Sequence, residues 1–198
     1  MFTGIVECMA QVKAIKKEKG NITFSFESPI SQELKIDQSV SHNGVCLTVI
    51  GLENGLHSVT AIEETLNKTN LGQLKLGEFV NIERCMPAHG RFDGHIVQGH
   101  VDTTGKCIEI NETNGSWLFT FSHPKQQGFI TVEKGSICVN GTSLTVVDSK
   151  DDRFSVAIIP YTFEHTVFKF FKVGDLINLE FDVIGKYVQK MMELKSGQ

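Results

Sequence analysis

The chain contains itself twice, and no other feature of the sequence limits its fold as strongly. Residues 43–49, NGVCLTV, return at 140–146 as NGTSLTV, identical at five of seven positions. The same offset of 97 carries SVTAIEET (58–65) onto SVAIIPYT (155–162) and LGEFVNIE (76–83) onto VGDLINLE (173–180). Nearer the start the offset is 95 and sets GIVE (4–7) against GHVD (99–102), a loop-length difference of two residues. A repeat this long excludes a solenoid, whose units run about 20–50 residues. It predicts two domains of one kind in tandem.

Each copy reads as strands. Short segments rich in Val, Ile, Thr and Phe are separated by turn sequences at Lys19-Gly20-Asn21, Asn43-Gly44, Asn54-Gly55, Asn114-Gly115 and Asn140-Gly141. ITFSFES (22–28) and LFTFSH (118–123) alternate apolar and polar residues, the pattern of a half-buried strand. Five or six such strands in each half predict a small barrel, because closure removes the edges that would otherwise pair with other chains. Short helical pieces are expected at 63–71 and 161–168. From Ile184 onward Tyr187, Val188, Met191, Met192 and Leu194 fall near helical spacing, which predicts an amphipathic tail helix suited to self-association.

Composition then removes whole classes of function. A net charge of −4, with scattered lysines, supplies no field to gather a polyanion. Fourteen of the seventeen aromatics are Phe, most of them in apolar strand segments rather than set out as a stacking surface. Nucleic acid is therefore not an expected partner. The opening MFTGIVE lacks a basic stretch followed by an apolar core, and no apolar run reaches the length of a membrane span. A cytoplasmic protein with no membrane partner is expected. Cys8, Cys46, Cys85, Cys107 and Cys138 are odd in number and form no C-x-x-C pair, so they are read as reduced thiols rather than as disulfides or a zinc clasp. No glycine-rich phosphate loop occurs.

The residues that could carry chemistry sit in the repeated blocks. In NG-x-[Cys/Ser]-LTV the plain reading is a tight turn feeding a core strand, with Leu47 and Val49 inward and Thr48 outward. The duplication adds that Cys46 matches Ser143 and Thr48 matches Thr145. Each pair stands two residues apart on one strand face, where two polar groups and the backbone could read the edge of a flat heterocycle. Cys46 as a nucleophile is the weaker alternative, since spacing identifies no histidine partner. GHIVQGHVD (94–102) holds His95 and His100, but on a strand their spacing sends them to opposite faces, against a shared metal. His100 is the better functional candidate because it replaces Ile5 of the first copy. Glu63 and Glu64 become Pro160 and Tyr161 in the same way. Matched frames with unequal groups at a few positions make two similar pockets with different chemistry.

MFTGIVE, HNGVCLTV, GRFDGHIVQGHVD, KGSICVNGTSLTV and IIPYTFEHT resemble, in order and spacing, the signature segments of the riboflavin synthases, a family of lumazine-binding repeats. The likeness runs from Met1 to about Tyr187. The resemblance implies an all-β chain: two tandem six-stranded antiparallel Greek-key barrels, over residues 1–88 and 89–185, and a C-terminal helix over 186–198 that helps to form a homotrimer. It implies a transferase that dismutates two molecules of 6,7-dimethyl-8-ribityllumazine into riboflavin and 5-amino-6-ribitylaminouracil, with no metal or other cofactor. Association with lumazine synthase belongs to the same set of expectations.

Carried over residue by residue, the substrate-binding positions of the first barrel are Gly4, Ile5, Val6, Cys46, Leu47, Thr48, Thr60, Ala61, Ile62, Glu63, Glu64 and Thr65. Those of the second are Gly99, His100, Val101, Lys134, Ser143, Leu144, Thr145, Ala157, Ile158, Ile159, Pro160, Tyr161 and Thr162. The repeat pairs these sets almost segment for segment; only Lys134 comes from the resemblance alone. Catalytic roles are expected of His100, which would assist loss of a proton from the substrate's acidic C7 methyl group, of Ser143 and Thr145, which would orient the ring or activate water, and of Cys46. Related proteins hold a lumazine or flavin only as a chromophore, but His100, Ser143 and Thr145 match the enzyme pattern.

Overall fold

The computed structural model describes residues 1–196. The first barrel consists of β1 (Cys8–Glu18), β2 (Asn21–Glu27), β3 (Ser39–His42), β4 (Val45–Glu53), β5 (Leu56–Ala61) and β6 (Phe79–Arg84). They close in the order β1-β2-β5-β4-β3-β6, every neighbouring pair antiparallel. The second barrel repeats that Greek-key order with β7 (Thr103–Thr113), β8 (Ser116–Ser122), β9 (Ser136–Val139), β10 (Thr142–Ser149), β11 (Arg153–Ile158) and β12 (Leu176–Phe181). Closure is driven by the alternation read in the sequence: Ile22, Phe24 and Phe26 point inward from β2, and Phe119 and Phe121 from β8. Each such side chain contributes about 1.5–3 kcal/mol on burial.

A short helix follows the fifth strand of each barrel, α1 (Glu63–Lys68) and α2 (Pro160–His165). Both stop earlier than the sequence pattern predicts, and matched threonines are the cause. Thr69 and Thr166 adopt extended backbone and donate their hydroxyls to the carbonyls of Thr65 and Thr162, each at 2.7 Å. A single 3₁₀ turn follows each stop. The tail helix α3 (Val183–Ser196) starts three residues before the expected 186; positions 197 and 198 of that expectation lie outside the described residues. Its root is fixed by Lys186, whose ammonium lies 2.6 Å from a carboxylate oxygen of Asp102. Ile184, Tyr187, Val188, Met191, Met192 and Leu194 are all exposed along it.

The repeated asparagines join the barrels around an approximate two-fold axis. The Asn-Gly turns at 43–44 and 140–141 have positive φ at both residues, the geometry of a tight hairpin, and they meet each other. A Cβ on Gly44 would lie 2.8 Å from the Gly141 nitrogen, so this contact admits only glycine. Asn81 donates to the Asn140 carbonyl at 2.8 Å and Asn178 to the Asn43 carbonyl at 2.9 Å. The Asn43 and Asn140 side chains in turn accept the backbone N–H groups of Asn81 and Asn178. Blocks found only as sequence repeats are thus the two faces of one contact.

The first core carries a polar pair that has no counterpart at the matching positions of the second. His42 and His57 are wholly buried in the first barrel, where the repeat puts Val139 and Phe154 in the second. His42 Nδ1 lies 3.1 Å from the Val40 carbonyl, which can only accept, so the proton is on Nδ1 and Nε2 is bare. His57 Nε2, 3.0 Å away, must then donate, and its own Nδ1 accepts from the Ser31 hydroxyl at 2.8 Å. Both rings are neutral: burial lowers the proton affinity of each, and His57 lowers that of His42 further. The unfolded chain takes up protons below about pH 6.5 that the native rings resist, so stability is present above that pH and falls as pH drops through it. The double variant H42V/H57F, which copies the second barrel, is expected to flatten the loss of Tm between pH 6.5 and 4, a loss worth up to about 1.4 kcal/mol per pH unit for each ring. An unchanged acid slope would show that the rings do not carry it.

Candidate functional site

Each barrel is split at one place, and the candidate residues gather there. β4 pairs with β5 only from Val49 onward. Before that point Val45 to Thr48 pair with β3, while Thr60 and Ala61 pair with β2. The two strands therefore diverge as a fork, just beyond a register shift at Ile50 that bends β4. The second barrel does the same: β10 joins β11 only from Val146, with the shift at Val147, while Thr142 to Thr145 stay with β9 and Ala157 and Ile158 with β8. Val49 and Val146 direct their N–H groups away from the fork, to Gln38 and Gly135. By strand alternation Thr48 and Thr145 turn their backbone groups into it. Their side chains are exposed, with Cys46 and Ser143 half-buried beside them.

A segment from the other half of the chain closes each fork. Cys46 donates its backbone N–H to the Gly99 carbonyl at 2.9 Å, and Ser143 donates to the Gly4 carbonyl at 2.8 Å. The approach is as close as chemistry allows: a Cβ on Gly99 would lie 2.6 Å from Cys46 Cβ, and one on Gly4 would lie 2.6 Å from Ser143 Cβ. Positive φ at both glycines, +80° and +77°, adds a second reason for the residue type. Val101 packs on the core of the first barrel, not the second. The grouping expected from chain order is corrected accordingly. Gly4, which leads into Ile5 and Val6, meets Ser143 of the second barrel; Gly99, which leads into His100 and Val101, meets Cys46 of the first, where Val101 packs on the core. The cause is that residues 1–6 and 97–101 precede the first strand of their own barrels and are drawn across, bridged by Phe2 and Val97 through backbone bonds of 2.8 and 3.1 Å.

The remaining candidates sort by exposure. Ala61 and Ile158 are fully buried and Leu47 nearly so, inside the barrel cores; Leu144 is partly buried on the second core. These offer a ligand backbone only. Ile62 and Ile159, 53% and 59% exposed, form apolar lips. Glu63 and Glu64 are exposed at the start of α1, and Glu64 pairs with Lys68 at 3.1 Å. At the corresponding place Pro160 starts α2, and Tyr161 stacks on His165 with ring centres 4.2 Å apart. Thr60 shares a hydroxyl bond with Thr23 at 2.8 Å. Thr65 and Thr162 supply the helix-stopping carbonyls described above, and Ala157 is exposed beside Ile158. Lys134 is exposed, and its N–H bonds the Val146 carbonyl at the edge of the second fork.

The groups facing the two forks are unequal. In the second, His95 Nδ1 lies 2.7 Å from the Ser143 hydroxyl. Burial lowers the proton affinity of His95, opposed in part by Asp182, so a neutral ring meets the hydroxyl. The sequence favoured His100 over His95 because His100 replaces Ile5 of the first copy. In the first fork burial pushes the Cys46 thiol up, against a hydrogen bond to Ser39 that lowers it, which leaves a protonated contact group rather than a thiolate nucleophile. His100 is exposed on the segment closing that fork. The segment is irregular rather than the strand assumed from its sequence; the His95 ring reaches Ser143, and the His100 side chain is exposed. Among the described residues no group of three His, Cys, Asp or Glu side chains is set to hold a metal. The groove of about 790 Å³ between the barrels, lined by Phe79, Phe170 and Leu176, contains none of the fork residues.

Comparison with known proteins matches this duplication. The profile of the family described as the lumazine binding domain fits residues 3–85 and again 98–182. A riboflavin synthase of Actinobacillus pleuropneumoniae is 40% identical over 97% of this chain and 90% of its own length. Those of Schizosaccharomyces pombe and Bacillus subtilis are 39% and 35% identical, over 98% and 97% of this chain and 94% and 90% of their own. Among solved structures, LumP complexed with riboflavin superposes with a TM-score of 0.84, covering 91% of this chain and 98% of LumP at 22% identity. LumP complexed with 6,7-dimethyl-8-(1'-D-ribityl) lumazine gives 0.83 over 91% and 99%, also at 22%. At that identity the likeness to LumP is one of fold.

The Gly99→Ala variant is expected to lose about 1–3 kcal/mol from backbone conformation alone and to push the segment off the first fork. Cys46 should then alkylate faster, as followed by peptide mass spectrometry. Faster alkylation in Gly4→Ala, with none in Gly99→Ala, would contradict the crossed arrangement.

Proposed function

The chain belongs to the riboflavin synthase family, and from that premise we propose that its two forks are the paired lumazine sites of the family's reaction. Two molecules of 6,7-dimethyl-8-ribityllumazine exchange a four-carbon unit and leave as riboflavin and 5-amino-6-ribitylaminouracil. The observation that carries this reading is the matched pair of forks in one chain, alike in backbone and different in reactive groups. Reactants that are copies of one compound need two similar seats, and the differences between the seats assign the two roles. Thr48 and Thr145 read the ring edges through backbone and hydroxyl. Cys46 and His100 act on one ring, and Ser143, backed by His95, acts on the other. His100 takes the proton from the C7 methyl group, a task that suits an imidazole near neutral pH. The neutral His95 ring holds the Ser143 hydroxyl toward the second ring.

Most of the acceleration is assigned to holding the rings against each other, an effect that reaches about 7–11 kcal/mol when the geometry is right. We place that stack between neighbouring chains of a homotrimer. In the single chain Ile62, Ile159, Thr48 and Thr145 are exposed, so a ring seated in either fork would leave one face open to a partner. The exposed apolar residues of α3 supply the means of assembly, and the anchor from Lys186 to Asp102 fixes that helix to the segment carrying His100.

Purified protein given the lumazine is expected to form one riboflavin for two substrates consumed, followed by absorbance. Tight binding without turnover would identify a chromophore carrier instead. His100→Ala and Ser143→Ala should each lower turnover by about 10²-fold, the lower end of what a positioned proton-transfer group supplies. Met191→Glu should lower both the sedimenting mass and the rate, since it charges the face assigned to assembly.

A further inference from the structure

Two buried carboxylates have no place in the chemistry above. Glu83 and Glu180 are the next-to-last residues of β6 and β12; they are 5% and 3% exposed. Glu83 accepts three hydrogen bonds from the N-terminal segment: Thr3 N–H at 2.7 Å, the Thr3 hydroxyl at 3.0 Å and Gly4 N–H at 3.0 Å. Glu180 accepts three from the second segment: Gln98 N–H at 2.6 Å, Gly99 N–H at 2.9 Å and His100 N–H at 2.9 Å. Every one of these partners is a donor, and both oxygens of each carboxylate are engaged. Burial raises the proton affinity of both carboxyls on balance, and the hydrogen bonds oppose it; a proton on either oxygen would face an N–H or O–H. The donors therefore favour the ionised form, and bonds of this charged kind are about twice as strong as neutral ones.

What each carboxylate holds is not its own barrel's site. Glu83, on the first barrel, fixes Gly4, whose carbonyl takes the Ser143 N–H of the second. Glu180, on the second barrel, fixes Gly99 and the His100 backbone, and the Gly99 carbonyl takes the Cys46 N–H of the first. We propose that Glu83 and Glu180 are crossed positioning residues: each sets the geometry of the substrate fork in the opposite barrel, and Glu180 also places His100. The proposal rests on the reading of the forks as lumazine sites. It gives the buried acids a role that volume cannot replace. Glutamine has the same shape, but its amide nitrogen would point at a backbone N–H, and one clamp bond would become a repulsion.

The test is a set of double-mutant cycles in the full chain. Glu83→Gln and Glu180→Gln are each combined with Cys46→Ala and with Ser143→Ala. Riboflavin affinity is read by fluorescence quenching, and amide hydrogen exchange is read at Cys46 and Ser143. Glu180→Gln is expected to speed Cys46 exchange about tenfold, the effect of one hydrogen bond, and to leave Ser143 unchanged. Glu83→Gln should do the reverse. In affinity, Glu180→Gln should be non-additive with Cys46→Ala and additive with Ser143→Ala, with the opposite pattern for Glu83→Gln. Coupling within one barrel, or equal acceleration at both amides, would overturn the proposal. Thr3→Val, which removes a single bond to Glu83, covers the case in which a glutamine variant does not fold; it should speed exchange at Ser143 alone. A wild-type chain unable to make riboflavin would defeat the functional reading, while the exchange pattern would still decide the crossed clamp.

Discussion

Two backbone hydrogen bonds, from Ser143 N–H to the Gly4 carbonyl and from Cys46 N–H to the Gly99 carbonyl, tie each half of this molecule to the other at the places where chemistry is expected. A fork in a barrel leaves backbone groups without strand partners, and such groups cost free energy unless something binds them. Here the segment ahead of each barrel crosses over and satisfies one of them, while the groups of Thr48 and Thr145 stay open to a ligand. The exchange requires glycine at the crossing point, a donor-filled carboxylate to hold the segment, and two barrels close enough to reach. The Asn-Gly turns and their asparagine partners provide the last requirement.

Two-fold likeness and its exceptions divide the work. Where the copies agree, at Asn43 and Asn140, Gly4 and Gly99, Glu83 and Glu180, the residues build the shared frame. Where they differ, the forks acquire different groups: a thiol and an exposed imidazole in one, a hydroxyl backed by a buried imidazole in the other. The first barrel's histidine pair is a third exception, placed in the core, and it gives that half an acid-sensitive pair with no match in the other.

Much of this was legible in the sequence, because the signals were local. Alternation in β2 and β8, the Asn-Gly turns and the repeat led to two small barrels, and the matched Cys46 and Ser143 marked the strands that line the forks. Long-range relations were not legible. Chain order put Gly4 with Cys46, since no local pattern says that a six-residue segment leaves its own barrel. His95 carried no repeat signal, and its bond to Ser143 spans 48 positions. The helix stops at Thr69 and Thr166 were hidden because threonine is tolerated within helices, and only its bond to the fourth preceding carbonyl, together with extended backbone, ends the turn.

The account stands most directly on where the rings sit. A crystal structure with a non-reactive lumazine analogue should place one ring against Cys46 and Thr48 beneath the Gly99 to Val101 segment. A second should lie against Ser143 and Thr145 beneath Gly4 to Val6. A ring held by Gly4 to Val6 together with Cys46, or seated in the groove between Phe79 and Phe170, would contradict it.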